Sequence, residues 1–121
     1  MSAKKTLVIG ASENPARYSN LAIKRLLHYQ HPVVAIGKKK GTVGPVEIET
    51  EQKNFDDVDT VTMYLNPQRQ QEYYHYILSL HPRRIIFNPG AENEELEELA
   101  RKNGIQPMEA CTLVLLNTGQ F

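Results

Sequence analysis

The chain has 121 residues, which fits one domain covering residues 1–121. Its 14 basic and 14 acidic residues cancel, so it lacks the global positive field that drives binding to nucleic acid or anionic membranes, and any anion binding must be local. A single cysteine excludes an internal disulfide framework and a cysteine-based zinc site, and it is typical of a reducing compartment, so we expect a cytoplasmic protein.

The first predicted element is a short buried strand at residues 6–10 that leads directly into a Gly/Ser turn and a helix. Its apolar run is too short for a signal-peptide core or a membrane span. Apolar residues at three- and four-residue spacing predict an amphipathic helix from Ser19 to about Tyr29, with Ser19 as the N-cap. Pro32 ends this helix, and residues 33–36 form a second buried strand, parallel to the first through a right-handed crossover.

Strands and helices continue to alternate along the rest of the chain. Residues 37–50 are predicted to form an irregular surface excursion with one short strand near residues 46–48. The other predicted elements are a helical turn at 55–58, a strand at 60–65, a helix at about 68–80, a strand at 84–87, a helix at 93–102, a strand at 105–108 and an apolar segment at 113–116. This alternation predicts a Rossmann-like, doubly wound, mostly parallel α/β sheet of five or slightly more strands, with helices on both faces and ligands at its carboxyl edge.

The turn after the first strand has the chemistry of an anion-binding site. The first amides of a helix lack intrahelical acceptors, and the helix dipole adds about half a positive charge there. Gly10 lets the backbone leave the strand, Ser12 and Ser19 offer hydroxyls, and Arg17 offers a fork of donors. The turn therefore predicts a phosphorylated ligand, although glycine and serine at such a turn also serve geometry alone. The residues after Gly10 do not form the G-x-G-x-x-G fingerprint, which disfavours an ordinary NAD site.

A second candidate segment follows the second strand, where Gly37 is succeeded by Lys38, Lys39 and Lys40. An NAD site has an acid at this place for the free ribose hydroxyl, whereas lysines suit a phosphorylated ribose. NADP, with a 2′-phosphate, and coenzyme A, with a 3′-phosphate, are both compatible with these residues. The alternative interpretation is a solvated loop, which is the usual meaning of a charge run.

Two further turns, Asn66-Pro67 and Asn88-Pro89-Gly90, follow strand ends at the same predicted edge of the sheet. Proline and glycine also end strands in general, so ligand contact and simple chain termination both fit these residues.

Candidate catalytic groups are sparse. The four histidines lack metal-ligand spacing, and no serine stands in a nucleophile-elbow pattern. Cys111 is a nucleophile only if a base lies beside it in space, and a buried inert thiol is more common. We therefore assign neither catalytic residues nor a metal site.

Together these segments resemble the small stand-alone coenzyme A-binding proteins of the Rossmann type, related to the nucleotide-binding domain of the succinyl-CoA synthetase α subunit. The resemblance covers nearly the whole chain. It is carried by residues 8–12 with Pro15, Arg17, Ser19 and Ala22, by residues 32–36, 58–61, 88–91 and 93–95, and by Cys111. The chain departs from the family pattern in the lysines after Gly37, where an Asn-Pro type turn is common, and in its short C-terminus after Cys111.

The resemblance implies coenzyme A or an acyl-CoA as ligand. It implies that the first turn surrounds the pyrophosphate, that Lys38 and Lys39 meet the adenosine 3′-phosphate, that Asn66 and Pro67 flank the nucleotide, and that Gly90 closes the pocket. The full set of candidate binding residues is Gly10, Ala11, Ser12, Arg17, Ser19, Gly37, Lys38, Lys39, Asn66, Pro67, Asn88 and Gly90.

We therefore expect a carrier, sensor or accessory protein that binds this small-molecule nucleotide without evident catalysis. Two alternatives from other classes stay open: a small enzyme that uses NADP or acyl-CoA, and an interaction module whose nucleotide site is vacant. The sequence also leaves open an oligomer or a protein partner.

Overall fold

The computed structural model describes residues 2–121, which form a seven-stranded sheet flanked by helices. The strands are β1 (Thr6–Ala11), β2 (Val33–Gly37), β3 (Gly41–Val43), β4 (Val46–Glu49), β5 (Thr60–Met63), β6 (Arg84–Phe87) and β7 (Gln106–Glu109). The helices are α1 (Tyr18–His28), α2 (Pro67–Gln70), α3 (Tyr74–Leu80), α4 (Glu94–Lys102) and α5 (Thr112–Asn117), with a 3-10 turn at Gln71–Tyr73. Within residues 2–121, every helix is too short or too polar to cross a membrane.

The strands are arranged in the order β3-β4-β2-β1-β5-β6-β7, and every neighbouring pair is parallel except β3 and β4. In the central strand β1, Val8 pairs with Ala35 of β2 on one side and with Thr62 of β5 on the other. The carboxyl ends of the parallel strands therefore meet at one edge. The prediction of a Rossmann-like, mostly parallel α/β sheet is confirmed.

Helices cover both faces of the sheet because the inner strands are apolar on both sides. Leu7 of β1 packs in a buried cluster with residues of α3 and α4, whereas the next residue, Val8, packs in a second cluster with residues of α1 and α5. Both side chains are fully buried. Each such side chain contributes about 1.5–3 kcal/mol by leaving water, so the sheet holds helices against both of its faces.

The pairing of β1 with β2 slips by one residue at Gly10. Ile9 pairs with Ile36, but the next pair is Ala11 with Gly37. Gly10 has φ of 95°, a conformation that a residue without Cβ adopts freely. A Cβ on Gly37 would lie 2.3 Å from the carbonyl oxygen of Ala11. The two strand ends therefore need glycine, and they bring the first two candidate segments into contact.

The largest difference from the predicted elements lies between β2 and β5. Instead of an irregular excursion with one short strand, β3 and β4 form an antiparallel hairpin, and β4 pairs with β2. Val43, Val46 and Ile48 are buried, whereas Thr42, next to Val43, and Glu47, between Val46 and Ile48, are exposed. This alternation gives the hairpin one apolar face, which extends the core beyond β2.

Two local predictions are wrong. Residues 55–58 contain a bend at Asp56 and Asp57 rather than a helical turn, with Asp57 at φ of 57°. Ser19 lies inside the first turn of α1 and is not its N-cap, because the helix begins at Tyr18 and Arg17 occupies the cap position. The predicted helical span at 68–80 is confirmed, as α2, the 3-10 turn and α3 in succession.

Candidate functional site

A cleft of about 900 Å³ opens at the carboxyl edge of the sheet. It lies where the strand order reverses, since the chain runs from β1 to β2 on one side and later returns to β5 on the other. Crevices at such reversals are the usual ligand sites of open α/β sheets. Eight of the predicted binding residues line it: Gly10, Ala11, Ser12, Arg17, Ser19, Gly37, Lys38 and Lys39.

Hydrogen bonds hold the loop between β1 and α1 in shape. Ser12 Oγ accepts from the Asn14 amide at 3.0 Å, and Asn14 Oδ1 accepts from the Ala16 amide at 3.0 Å. Asn20 Nδ2 donates to the Ser12 carbonyl at 2.9 Å, which ties the loop to the first turn of α1. Short polar side chains commonly stabilise turns in this way, so the loop presents a fixed backbone to the cleft.

The beginning of α1 forms one wall, which includes Arg17, Tyr18 and Ser19. No side chain caps this end of the helix, and its first turn contains no acidic residue. The positive end of the helix dipole is therefore not offset locally. Among the ion pairs of residues 2–121, none involves Arg17. The wall thus offers helix amides and a free guanidinium to a negatively charged group.

The turn after β2 adds positive charge to the same cleft. Lys38 and Lys39 are exposed, and across the described part of the chain neither forms an ion pair within 4.0 Å. In all, four basic and two acidic side chains line the cleft. A chain of zero net charge therefore has a locally positive site, as expected for a small anionic ligand rather than a polyanion.

The opposite wall contains residues that sequence reasoning missed. They are Tyr64, Leu65, Arg69, Glu72 and Tyr73. Thr50, which follows β4 on the other side of the cleft, was also missed, whereas Pro89 belongs to the predicted Asn88-Pro89-Gly90 turn. Tyr64 and Leu65 directly follow β5, so their position at a strand end was a usable signal. Arg69 and Tyr73 had no such signal, because they come from a helix and a 3-10 turn whose orientation depends on tertiary packing.

Tyr64 carries a buried hydroxyl beside this wall. Burial raises the pKa of Tyr64 to about 12, so the phenol stays protonated near neutral pH. Thr62 and Thr112 lie near the hydroxyl, but neither makes a hydrogen bond of acceptable geometry with it. The phenol is therefore neutral, and its hydroxyl is buried rather than exposed to the cleft.

Asn66 and Pro67 do not line the cleft. Asn66 Oδ1 accepts a hydrogen bond from the Arg69 amide at 3.0 Å, and Pro67 occupies the first position of α2. Asparagine is favoured at the N-cap because its side chain accepts from a free amide of the first helical turn. Proline is favoured at the first helical position because it has no amide hydrogen that would need a partner. They start the helix that carries Arg69 to the cleft.

Asn88 and Gly90 also lie outside the cleft lining, although Pro89 between them belongs to it. Asn88 is buried, with both amide atoms in hydrogen bonds to the neighbouring strand and to α5. Gly90 has φ of 93°, and its amide donates to Glu92 Oε1 at 2.8 Å. Both residues therefore shape the turn after β6.

Cys111 is half-buried at the N-cap position of α5 and does not line the cleft. Within residues 2–121, no three histidine, cysteine or acidic side chains cluster as a metal site requires. The chemistry of the cleft thus depends on its cations and its backbone amides.

Residues 4–117 match the family described as CoA binding domain. Because the match spans nearly the whole chain, the protein belongs to this family, and the resemblance noted from its sequence is confirmed. Membership supports a CoA-related binding role. No curated protein matches the chain.

Solved structures similar to this fold include the following three. The crystal structure of an uncharacterized protein shares 50% sequence identity, with a TM-score of 0.98 and both chains fully covered. The protein called cell-free ID.343 from Thermus thermophilus shares 18% identity and a TM-score of 0.85, covering 98% of this chain and 91% of that one. The dinucleotide forming acetyl-coenzyme A synthetase 1 of Ca. Korarchaeum cryptofilum, in complex with phosphate and ADP, shares 19% identity and a TM-score of 0.71. That match covers 88% of this chain and 25% of the synthetase.

Proposed function

We propose that the protein binds coenzyme A or an acyl-CoA in this cleft and acts as a carrier, sensor or accessory protein without catalysis of its own. One observation carries the proposal: the uncapped start of α1, Arg17 and the Lys38–Lys39 turn meet in a single positive cleft. Coenzyme A carries phosphate at two separate points, the pyrophosphate and the ribose 3′-phosphate. Two positive segments at the carboxyl edge match that distribution of charge.

In this arrangement the pyrophosphate lies against the beginning of α1. The first helix amides, the Ser19 side chain and the Arg17 guanidinium donate to its oxygens. Gly10 lets the end of β1 pack closely against the residues after β5, since a Cβ there would lie 3.2 Å from atoms of Tyr64 and Leu65. This assignment is supported by the absence of a competing acid in the first turn of α1.

The ribose 3′-phosphate then lies near Lys38 and Lys39, and the pantetheine arm runs along the opposite wall. Leu65 and Tyr73 supply apolar surface on that wall. The similar synthetase is named for an acetyl-coenzyme A product, which favours a ligand of the same class.

The proposal is tested by calorimetry and thermal shift with coenzyme A, dephospho-coenzyme A, NADP and NAD. A ligand that binds only the native state raises its thermal stability. We expect coenzyme A to bind most tightly and dephospho-coenzyme A about tenfold more weakly, because one charge-assisted contact set is lost. A preference for NADP would favour the small-enzyme alternative, and no binding of any of the four would favour an interaction module.

A further inference from the structure

An acidic side chain connects the two positive segments of the cleft. Glu13 belongs to the loop after β1, and its Oε2 accepts a hydrogen bond from the Thr42 amide of β3 at 2.9 Å. The turn that carries Lys38 and Lys39 lies between β2 and that contact. The turn is thus joined to β2 at one end and to the edge strand β3 at the other, and Glu13 ties that second end to the loop after β1.

The Glu13 carboxylate occupies space that is free because Gly41 has no side chain. A Cβ on Gly41 would lie 2.2 Å from Glu13 Cδ and 2.6 Å from Glu13 Oε1, so the two cannot coexist without a shift of Glu13. The φ angle of Gly41 lies outside the left-handed region, so its backbone conformation is open to alanine. Glycine is required here for the close approach of Glu13.

The carboxylate holds the turn without neutralising its lysines. In the described chain, Glu13 forms no ion pair within 4.0 Å, so its bond to the turn is through the backbone of Thr42. Lys38 and Lys39 keep their charges free for a ligand. An exposed turn that is already fixed loses less conformational entropy when it binds than one that must first be ordered.

We propose that Glu13 is a positioning residue that fixes the Lys38–Lys39 turn at the cleft and thereby sets the preference for a nucleotide with a phosphorylated ribose. The inference rests on the proposed coenzyme A binding. It assigns specificity to a residue whose negative charge would otherwise disfavour every ligand of the cleft.

Three variants distinguish the effect of the position of the Lys38–Lys39 turn from the effect of the Glu13 charge. Glu13→Ala removes both the hydrogen bond and the charge, Glu13→Gln removes the charge but keeps an acceptor for the Thr42 amide, and Gly41→Ala displaces Glu13 without altering it chemically. Glu47→Ala is the matched control, because Glu47 is an exposed acid of the same hairpin that pairs opposite Thr42.

The measurement is the ratio of the calorimetric Kd values for dephospho-coenzyme A and coenzyme A. We expect Glu13→Ala and Gly41→Ala to lower that ratio by about fivefold to tenfold, as for the loss of one ordered charge-assisted contact. Glu13→Gln and Glu47→Ala should leave the ratio unchanged. The ratio cancels any change in affinity for the pyrophosphate, which both ligands carry, and Glu13→Gln accounts for the loss of the negative charge.

Amide hydrogen exchange of the ligand-free protein gives a second readout. The Thr42 amide should exchange faster in Glu13→Ala than in wild type, and Glu13→Gln should restore its protection. If wild type binds coenzyme A but Glu13→Ala keeps the wild-type ratio, the positioning role is overturned while the proposed function stands. If wild type binds neither ligand, the proposed function fails, and with it this role. Equal loss of the ratio in Glu13→Ala and Glu13→Gln would show that charge, not position, is what matters.

Discussion

Asn88 Nδ2 donates a 2.7 Å hydrogen bond to Thr62 Oγ1, inside the protein and directly behind the turn that follows β6. The same nitrogen donates to the Met63 carbonyl at 3.0 Å, and Asn88 Oδ1 accepts from the Thr112 amide at 2.8 Å. Thr62 Oγ1 also lies 2.8 Å from Thr112 Oγ1. One buried amide therefore joins the end of β6, strand β5 and the start of α5.

Asn88→Ala is expected to lower the free energy of unfolding by about 2–4 kcal/mol, because it removes three hydrogen bonds and leaves the buried Thr112 amide unpaired. Urea unfolding measures this change. Asn66→Ala is the matched control, since it removes one exposed cap bond and should cost about 1 kcal/mol. Losses of equal size would mean that the buried network contributes no more than a helix cap.

Arg17→Glu should weaken binding of coenzyme A and dephospho-coenzyme A alike, by about tenfold to a hundredfold. The reason is that both ligands carry the pyrophosphate, and a charge-assisted contact is worth about 1.5–3 kcal/mol. Calorimetry with both ligands tests this expectation. Lys24→Glu makes the same charge reversal at an exposed position of α1 that does not line the cleft, and it should bind normally. Unchanged affinity in Arg17→Glu would remove Arg17 from the site.

The double variant Lys38→Ala/Lys39→Ala should weaken coenzyme A about tenfold or more and leave dephospho-coenzyme A nearly unaffected. Only the first ligand carries the ribose phosphate that these lysines are proposed to meet. Lys40→Ala controls for a general loss of positive charge, because Lys40 is exposed and does not line the cleft. An equal loss for both ligands in the double variant would contradict the assignment of these lysines.

His31 is expected to make the fold less stable in mild acid. Its Nδ1 accepts a hydrogen bond from the Lys4 amide at 3.0 Å, and its buried Nε2 has no partner among residues 2–121. Burial is the main cause that lowers the pKa of His31 below 6.5, and the charges of Lys4 and Arg84 lower it further, against a weaker opposite effect of Asp59.

The direction in which stability changes with pH follows from whether the folded or the unfolded chain binds the His31 proton more readily. Above pH 6.5 His31 is neutral in both states, and its full contribution to stability is present. As the pH falls below 6.5, the unfolded chain takes up a proton that the folded chain resists, so stability falls by up to about 1.4 kcal/mol per pH unit until the folded pKa is reached. Urea unfolding between pH 7 and 5 should show this slope in wild type and in the exposed control His75→Gln, but not in His31→Gln. A wild-type slope that persists in His31→Gln would assign the effect to other groups.

The predicted fold was correct where a single segment contains enough apolar residues to show whether it is a strand or a helix. Strands β1 and β2 are continuous apolar runs, and α1 has a clear three- and four-residue period. Of the β3–β4 hairpin only the second strand was predicted, near residues 46–48, and β3 was missed because it has only three residues. Its signal was present, since Val43, Val46 and Ile48 alternate with polar residues around the Gly44-Pro45 turn.

Some residues of the candidate site could be predicted from the sequence and others could not. Residues at the ends of β1 and β2 were identified because a parallel sheet brings those ends together whatever the side-chain packing. The sequence could not show whether Asn88 contacts a ligand or forms hydrogen bonds in the core. An asparagine after a strand fits a ligand contact as well as a core hydrogen bond, and only its neighbours Thr62 and Thr112, remote in sequence, decide between the two.

The one-residue slip at Gly10 changes which layer of helices the end of β1 packs against. Side chains of a strand alternate between the two faces of a sheet, and one extra residue reverses that alternation. Ala11 therefore lies in the same buried cluster as Val8, whereas strict alternation would place it with Leu7 and Ile9. The face to which the last residue of β1 belongs is thus encoded in a count of residues as much as in their chemistry.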